Sequence, residues 1–302
     1  MREIVYELLA RSMQGMSLDA IDRWGARMGD LLWLTLPERR QMATETMARQ
    51  LDLPLHTAQR MARNSFRNTG RSFLEILLSS RVDWRFIHER LHIATPDAFR
   101  AFQDLDRPVV IATAHMGAWE LLAGIYQLLV HKHPKQIVVR RPKDEALHRL
   151  MTRLRSRPGV DVIPHRMAAP QVLRCLRKGG VTAFLVDHNS STSEALFMPF
   201  LKDIAAVNMG PALLAVRAEA CICPVFIIRN GQGGYELHND TPLDTRTLTG
   251  SRDERIQKAA EFYTRAVVRM IRAYPEQWYW LHRRWKTQPP EGWRYGGPLL
   301  ES

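Results

Sequence analysis

The chain has 302 residues, 45% of them hydrophobic, with 43 basic against 31 acidic side chains and a formal charge of +12. That length suits one α/β unit with helical additions, and the charge draws the molecule towards polyanions (nucleic acid, anionic lipid headgroups or an acidic protein) without choosing among them. Three cysteines, Cys175, Cys221 and Cys223, exclude a disulfide framework. No further Cys or His stands at zinc spacing, so buried thiols, a reducing compartment and no metal are expected.

The first residues lack the continuous apolar stretch of a secretory signal, and no run of about 18 uncharged apolar residues occurs, so no membrane-spanning helix is expected. Residues 1–95 read as a helical N-terminal extension packing on the rest of the chain. Ser17 is a good N-cap for "LDAIDRWGARMGDLLWL", and Pro37 and Pro54 mark two further helix starts. Trp24 and Trp33, beside Arg23, Arg27, Arg39 and Arg40, suit a membrane interface. An ordinary core-packing helix with a solvated basic face accounts for the same residues more simply.

The texture changes near Asp106. "RPVVIATA", "KQIVVRR", "VDVIPH", "VTAFLVD" and "CICPVFIIR" are short β-branched runs of the kind buried on both faces of a sheet, and helical patterns lie between them. This alternation predicts, for residues 96–302, an α/β domain with a mostly parallel central sheet flanked by helices. An antiparallel strand around "YELHND" and a long C-terminal helix that breaks before Pro275 complete it.

One seam stands out. In "VVIATAHMGAWELL" His115 leaves a strand, Gly117 permits a turn and Glu120 enters the next helix, at the carboxyl end of a strand where open α/β sheets collect reactive groups. A carboxylate that bonds one imidazole nitrogen fixes the tautomer and raises the basicity of the other. The dyad His115 and Glu120 could then take a proton from a hydroxyl attacking a thioester. The chain offers no Gly-x-Ser-x-Gly elbow, so no covalent acyl-enzyme is expected.

The blocks "HMGAWE", "RRPKDEALHRLMTRLRSRPGVDVIP", "LRKGGVTAFLVDHN", "FMPFLKDIAAVNMGPALLAVRAEACICPVFIIR" and "YPEQWYWLHRRWK" resemble, in order and spacing, the bacterial lipid A biosynthesis acyltransferase family, relatives of the glycerolipid acyltransferases. The resemblance implies transfer of a fatty acyl group from acyl carrier protein, or coenzyme A, to a hydroxyl of a lipid A precursor at the cytoplasmic face of the inner membrane. It implies a peripheral or monotopic protein and no cofactor beyond the thioester donor. His115 matches the family's general base, Glu120 its orienting acid, Arg141 the arginine of its Arg-Pro-x-Asp block and Asp187 the aspartate of its Asp-Gln turn. Ala118 and His188 depart from the asparagine and glutamine usual there, and an N-terminal stretch as hydrophobic as the anchor of many members is not expected from these residues.

Arg140 and Arg141 could grip acceptor phosphate or an oxyanion. Asp187 could touch substrate or only bond loop amides, and Arg284, in "HRRWK", could hold an anionic headgroup. The same chemistry on a lysophospholipid or phosphoinositide mannoside is the enzymatic alternative. A nucleic-acid-binding protein is disfavoured, since the arginines are dispersed and no recognition module is present.

Overall fold

The computed structural model describes residues 15–140, 144–156 and 159–294. Three helices come first: α1 (Leu18–Thr35), capped by Ser17, α2 (Pro37–Leu51) and α3 (Leu55–Glu75). Pro37 occupies the first helical position of α2, where its missing N–H costs nothing. The short α4 (Trp84–Arg90) runs into β1 (Leu91–Ile93), so the segment expected to be helical throughout contributes an edge strand to the sheet. There follow α5 (Pro96–Gln103), β2 (Val109–Thr113), α6 (Leu122–Leu129), β3 (Lys135–Val139), α7 (Glu145–Arg155), β4 (Val160–Pro164), α8 (Ala169–Arg177) and β5 (Val181–Leu185). The chain continues through β6 (Ala195–Phe200), β7 (Asp203–Asn208), α9 (Gly210–Arg217), β8 (Cys221–Arg229), β9 (Tyr235–Asn239), β10 (Leu243–Asp244) and α10 (Arg252–Ala273). A Ser251–Glu254 capping box opens α10, and the helix ends before Pro275 as its sequence predicts.

The main sheet runs β1-β9-β8-β2-β5-β3-β4, with β10 also paired to β8. Its pairs are parallel except where β8 meets β9 and β10, so the expected mostly parallel α/β sheet is present, with β9 as the antiparallel strand. Strand alternation sorts the core into two layers. On β2, Val110 and Ala112 face a cluster shared with α2, α3, α8, α9 and α10, while Val109 and Ile111 face one shared with α4, α5 and α6. The three cysteines are all buried and free.

Two close fits fix the N-terminal helices. The buried face of α1 carries Ile21, Gly25, Gly29 and Trp33, and at its crossing with α3 a Cβ on Gly70 would collide with the Gly25 carbonyl oxygen. Helices this close need bare backbone on both sides. The C-terminal end of α3 is clamped to the end of β8 by Arg229, whose Nε donates to Glu75 Oε1 at 3.0 Å while Nη2 pairs with Oε2. Trp33 packs edge-on against Phe66 with ring centroids 5.1 Å apart, so of the two tryptophans that suit an interface this one belongs to the core.

Candidate active site

β2 and β5 are adjacent and parallel, with Thr113 opposite Leu185. Two residues beyond each strand lie His115 and Asp187, so register alone brings them together. The His115 backbone N–H donates to Asp187 Oδ2 and its ring Nδ1 lies 2.9 Å from Oδ1. Trp278 Nε1–H donates to Oδ2 at 2.8 Å. The C-terminal block reaches this point because it zips onto the loop after β2: Tyr279 N–H donates to the His115 carbonyl, and Gly117 N–H to the Gln277 carbonyl. Gly117 has φ of +57° and its Cα abuts the Ile227 carbonyl, which leaves no room for a side chain.

Asp187 is fully buried. Burial opposes its charge, but His115 and the Trp278 hydrogen bond outweigh that and hold the carboxyl well below the usual carboxylate range. For His115 burial likewise works against the charged form, yet the Asp187 carboxylate, with a smaller contribution from Glu120, raises its pKa above the ordinary 6.5. Nδ1–H therefore donates to Asp187. Nε2, with no hydrogen-bond partner among the described residues, belongs to a ring that keeps 29% of its side-chain surface open. His282 is nearly buried, which pushes it down to about 4, and in its neutral form Nδ1–H donates to the Tyr279 carbonyl.

Glu120 corrects an expectation. It sits in a short 3₁₀ turn, Trp119–Leu121, and its carboxylate bonds Arg155 rather than His115: Nε to Oε2 at 3.0 Å and Nη2 to Oε1 at 2.6 Å. The bidentate guanidinium, delivered by the end of α7, satisfies the buried acid better than one imidazole N–H would. The imidazole in turn already holds Asp187.

A cavity of about 870 Å³ opens at the carboxyl edge of the sheet, lined by His115, Trp119, Glu120, Arg155 and Tyr279. It reaches under the sheet along Ile111, Ile125, Tyr126, Leu129, Ile137, Ala183, Phe99 and Phe102. On the other face it touches Val138, Phe184, Ala168, Leu213 and Leu214. The wall is largely apolar. Phe73, Trp119 and Tyr279 form an aromatic collar beside His115, the His115 ring lying 5.7 Å from Trp119 and 6.0 Å from Tyr279.

The remaining predicted residues divide. Arg140 is exposed on the cavity wall, and Arg141 lies outside the described residues. Arg284 does not face the cavity: it is 1% exposed, stacks 4.3 Å over the Phe200 ring and donates from Nη1 to the Ala206 carbonyl. It is a core cation rather than a headgroup ligand, and burial pushes it down to about 10. Arg155 was missed. Its position fourteen residues after Arg141 on a helix carried no signal, since only the fold brings α7 to Glu120.

Residues 6–287 match the family described as bacterial lipid A biosynthesis acyltransferase, and the chain belongs to that family. It is an acyltransferase. The lipid A biosynthesis lauroyltransferase of Escherichia coli K12 is 31% identical over 184 residues, 56% of each chain, so this match spans little more than half of that relative's length. The lipid A biosynthesis palmitoleoyltransferase of the same organism is 26% identical over 276 residues, 88% of this chain and 84% of its own. A phosphatidylinositol mannoside acyltransferase of Mycolicibacterium smegmatis is 25% identical over 236 residues, 77% of this chain and 74% of that one.

Proposed function

We propose that the protein transfers a fatty acyl group from a thioester, carried by acyl carrier protein or coenzyme A, to a hydroxyl of a lipid A precursor. The observation that carries this reading is the His115 imidazole, fixed at Nδ1 by buried Asp187, beside a long apolar cavity. The family and the two Escherichia coli relatives support the acceptor.

In the proposed step the fatty chain lies along Ile111, Ile125 and Ile137 with its carbonyl near His115. Nε2 accepts the proton of the acceptor hydroxyl as its oxygen attacks the thioester carbon. The tetrahedral intermediate collapses with cleavage of the C–S bond, and Nε2–H returns the proton to the leaving sulfur. An ester and a free thiol result, with no acyl-enzyme, metal or cofactor required. Asp187 holds the tautomer and stabilises the transient imidazolium. Glu120 adds negative charge at a distance while it and Arg155 stiffen the wall. Arg140, and by resemblance Arg141, would face acceptor phosphates.

The proposed site of action is the cytoplasmic face of the inner membrane. Among the described residues no helix is long and apolar enough to cross a membrane. The outer face of α1 supports peripheral contact instead: Trp24, Leu31 and Leu34 are 53%, 59% and 69% exposed, and the Arg27 guanidinium lies 5.0 Å over the Trp24 ring. Purified protein, given dodecanoyl acyl carrier protein and a phosphorylated glucosamine disaccharide lipid, should form the acylated lipid. His115→Ala should not. A second reading, supported by the mycobacterial relative, keeps the chemistry with a phosphatidylinositol mannoside as acceptor. Lipid analysis of a deletion strain separates the two, because unaltered lipid A acylation would leave only the second.

A further inference from the structure

A second hollow, of about 540 Å³, lies on the outer surface of α8 and is lined by Ala169, Pro170, Leu173, Arg174, Arg177, Lys178 and Arg217. Its four cations are exposed, and none makes an ion pair with another described residue. Neither α8 nor α9 contains an acidic residue. The hollow is therefore an uncompensated positive strip with an apolar floor at Pro170 and Leu173.

Its placement gives it meaning. Ala169 lines both this hollow and the cavity that holds His115. From Ala169 the strip follows α8 away from the carboxyl edge of the sheet for about 12 Å, at 1.5 Å per residue. The exposed apolar side chains Trp24, Leu31, Leu34 and Phe73 are on α1 and α3, so the strip and that apolar face are carried by different helices.

Resting on the acyl-transfer reading, we propose that this strip docks the donor, and that the donor is an acidic carrier protein. An acidic helix laid along Arg174, Arg177, Lys178 and Arg217 places a flexible thioester arm over Ala169 and into the cavity. Positive charge along the route raises the encounter rate and makes it depend on salt. Small apolar contacts at Pro170 and Leu173 suit a protein helix and give nothing to a bare phosphate.

The test uses the full-length protein with Arg174→Glu and Arg177→Glu combined, and a milder Lys178→Gln/Arg217→Gln pair. KM for dodecanoyl acyl carrier protein should rise roughly tenfold or more in the first variant and less in the second, with kcat retained. KM for dodecanoyl coenzyme A should stay within about twofold. Fluorescence anisotropy of labelled, unacylated carrier protein should show the same loss of affinity. An unchanged KM and affinity for carrier protein overturns the proposal. So does an equal rise for coenzyme A, which would make the strip a phosphate site, or a loss of phosphatidylglycerol-vesicle binding, which would make it a membrane contact. Should wild-type protein turn over no thioester, the acyl-transfer reading falls, while anisotropy still decides the docking surface.

Discussion

His115 and Asp187 stand two residues beyond one register pair, Thr113 opposite Leu185, and the imidazole Nδ1–H is donated to the carboxylate across 2.9 Å. Asp187→Asn keeps the volume and removes the charge that holds the tautomer. Loss of a positioned base costs about 10²–10⁴-fold, so kcat should fall by about that factor with KM little changed. Steady-state kinetics decide it, and an Asp187→Asn variant with wild-type turnover would remove Asp187 from the mechanism.

The pH profile carries its own prediction. A base whose pKa is raised needs a more alkaline solution to be neutral, so kcat/KM should climb with pH on a limb centred above 6.5. In Asp187→Asn the ring keeps the burial that disfavours its charge and loses the main opposing charge, so the limb should move to lower pH. The same shift acts on stability in the opposite direction. The folded state favours charged His115, a contribution fully present below pH 6.5 and lost as pH rises through the folded value.

Glu120 and Arg155 form a largely buried bidentate pair. Glu120→Gln or Arg155→Met alone leaves one charge without its partner, and breaking such a pair typically costs about 3–5 kcal/mol. The double variant should be less destabilised than the sum of the singles. Urea unfolding of all four proteins measures the coupling. Additive losses would mean that the two side chains act independently.

Gly117 makes no chemical contribution, yet Gly117→Ala should cost at least about 2 kcal/mol and most of the activity, because its left-handed backbone and the Ile227 carbonyl both exclude a Cβ. Thermal unfolding and turnover should fall together. A variant with wild-type melting temperature would show that the loop can move away from β8.

The α1 face gives a binding prediction. Trp24→Ala, Leu31→Ser and Leu34→Ser combined should weaken partition onto phosphatidylglycerol vesicles by at least about tenfold, since each side chain contributes part of the roughly 1.5–3 kcal/mol of a full burial. The fold should survive, because these side chains are exposed and the core face of α1 is untouched. Undiminished co-sedimentation would place the membrane contact elsewhere.

The parallel strands were legible because buried β-branched runs such as "VVIAT" and "VTAFL" announce themselves. The β6–β7 hairpin did not. Its two-residue turn is Leu201-Lys202, with Leu201 at φ of +58°, where Asn or Gly would have signalled the turn. β1, three residues long, is too short to pattern. At the site, His115 was visible from its seam, but its partner was not to be found by counting along the chain. The nearest carboxylate in sequence, Glu120, belongs to Arg155, and the one in space lies 72 positions away.

That separation makes the pair indifferent to what lies between. Insertions in the connections among β3, α7, β4 and α8 should be tolerated, since neither strand end moves. A single residue added at Ala114 or Val186 would swing one partner to the opposite side of the pleat. Lineages of this enzyme can therefore remodel the lips of the opening freely, while the length of two short strand exits stays frozen.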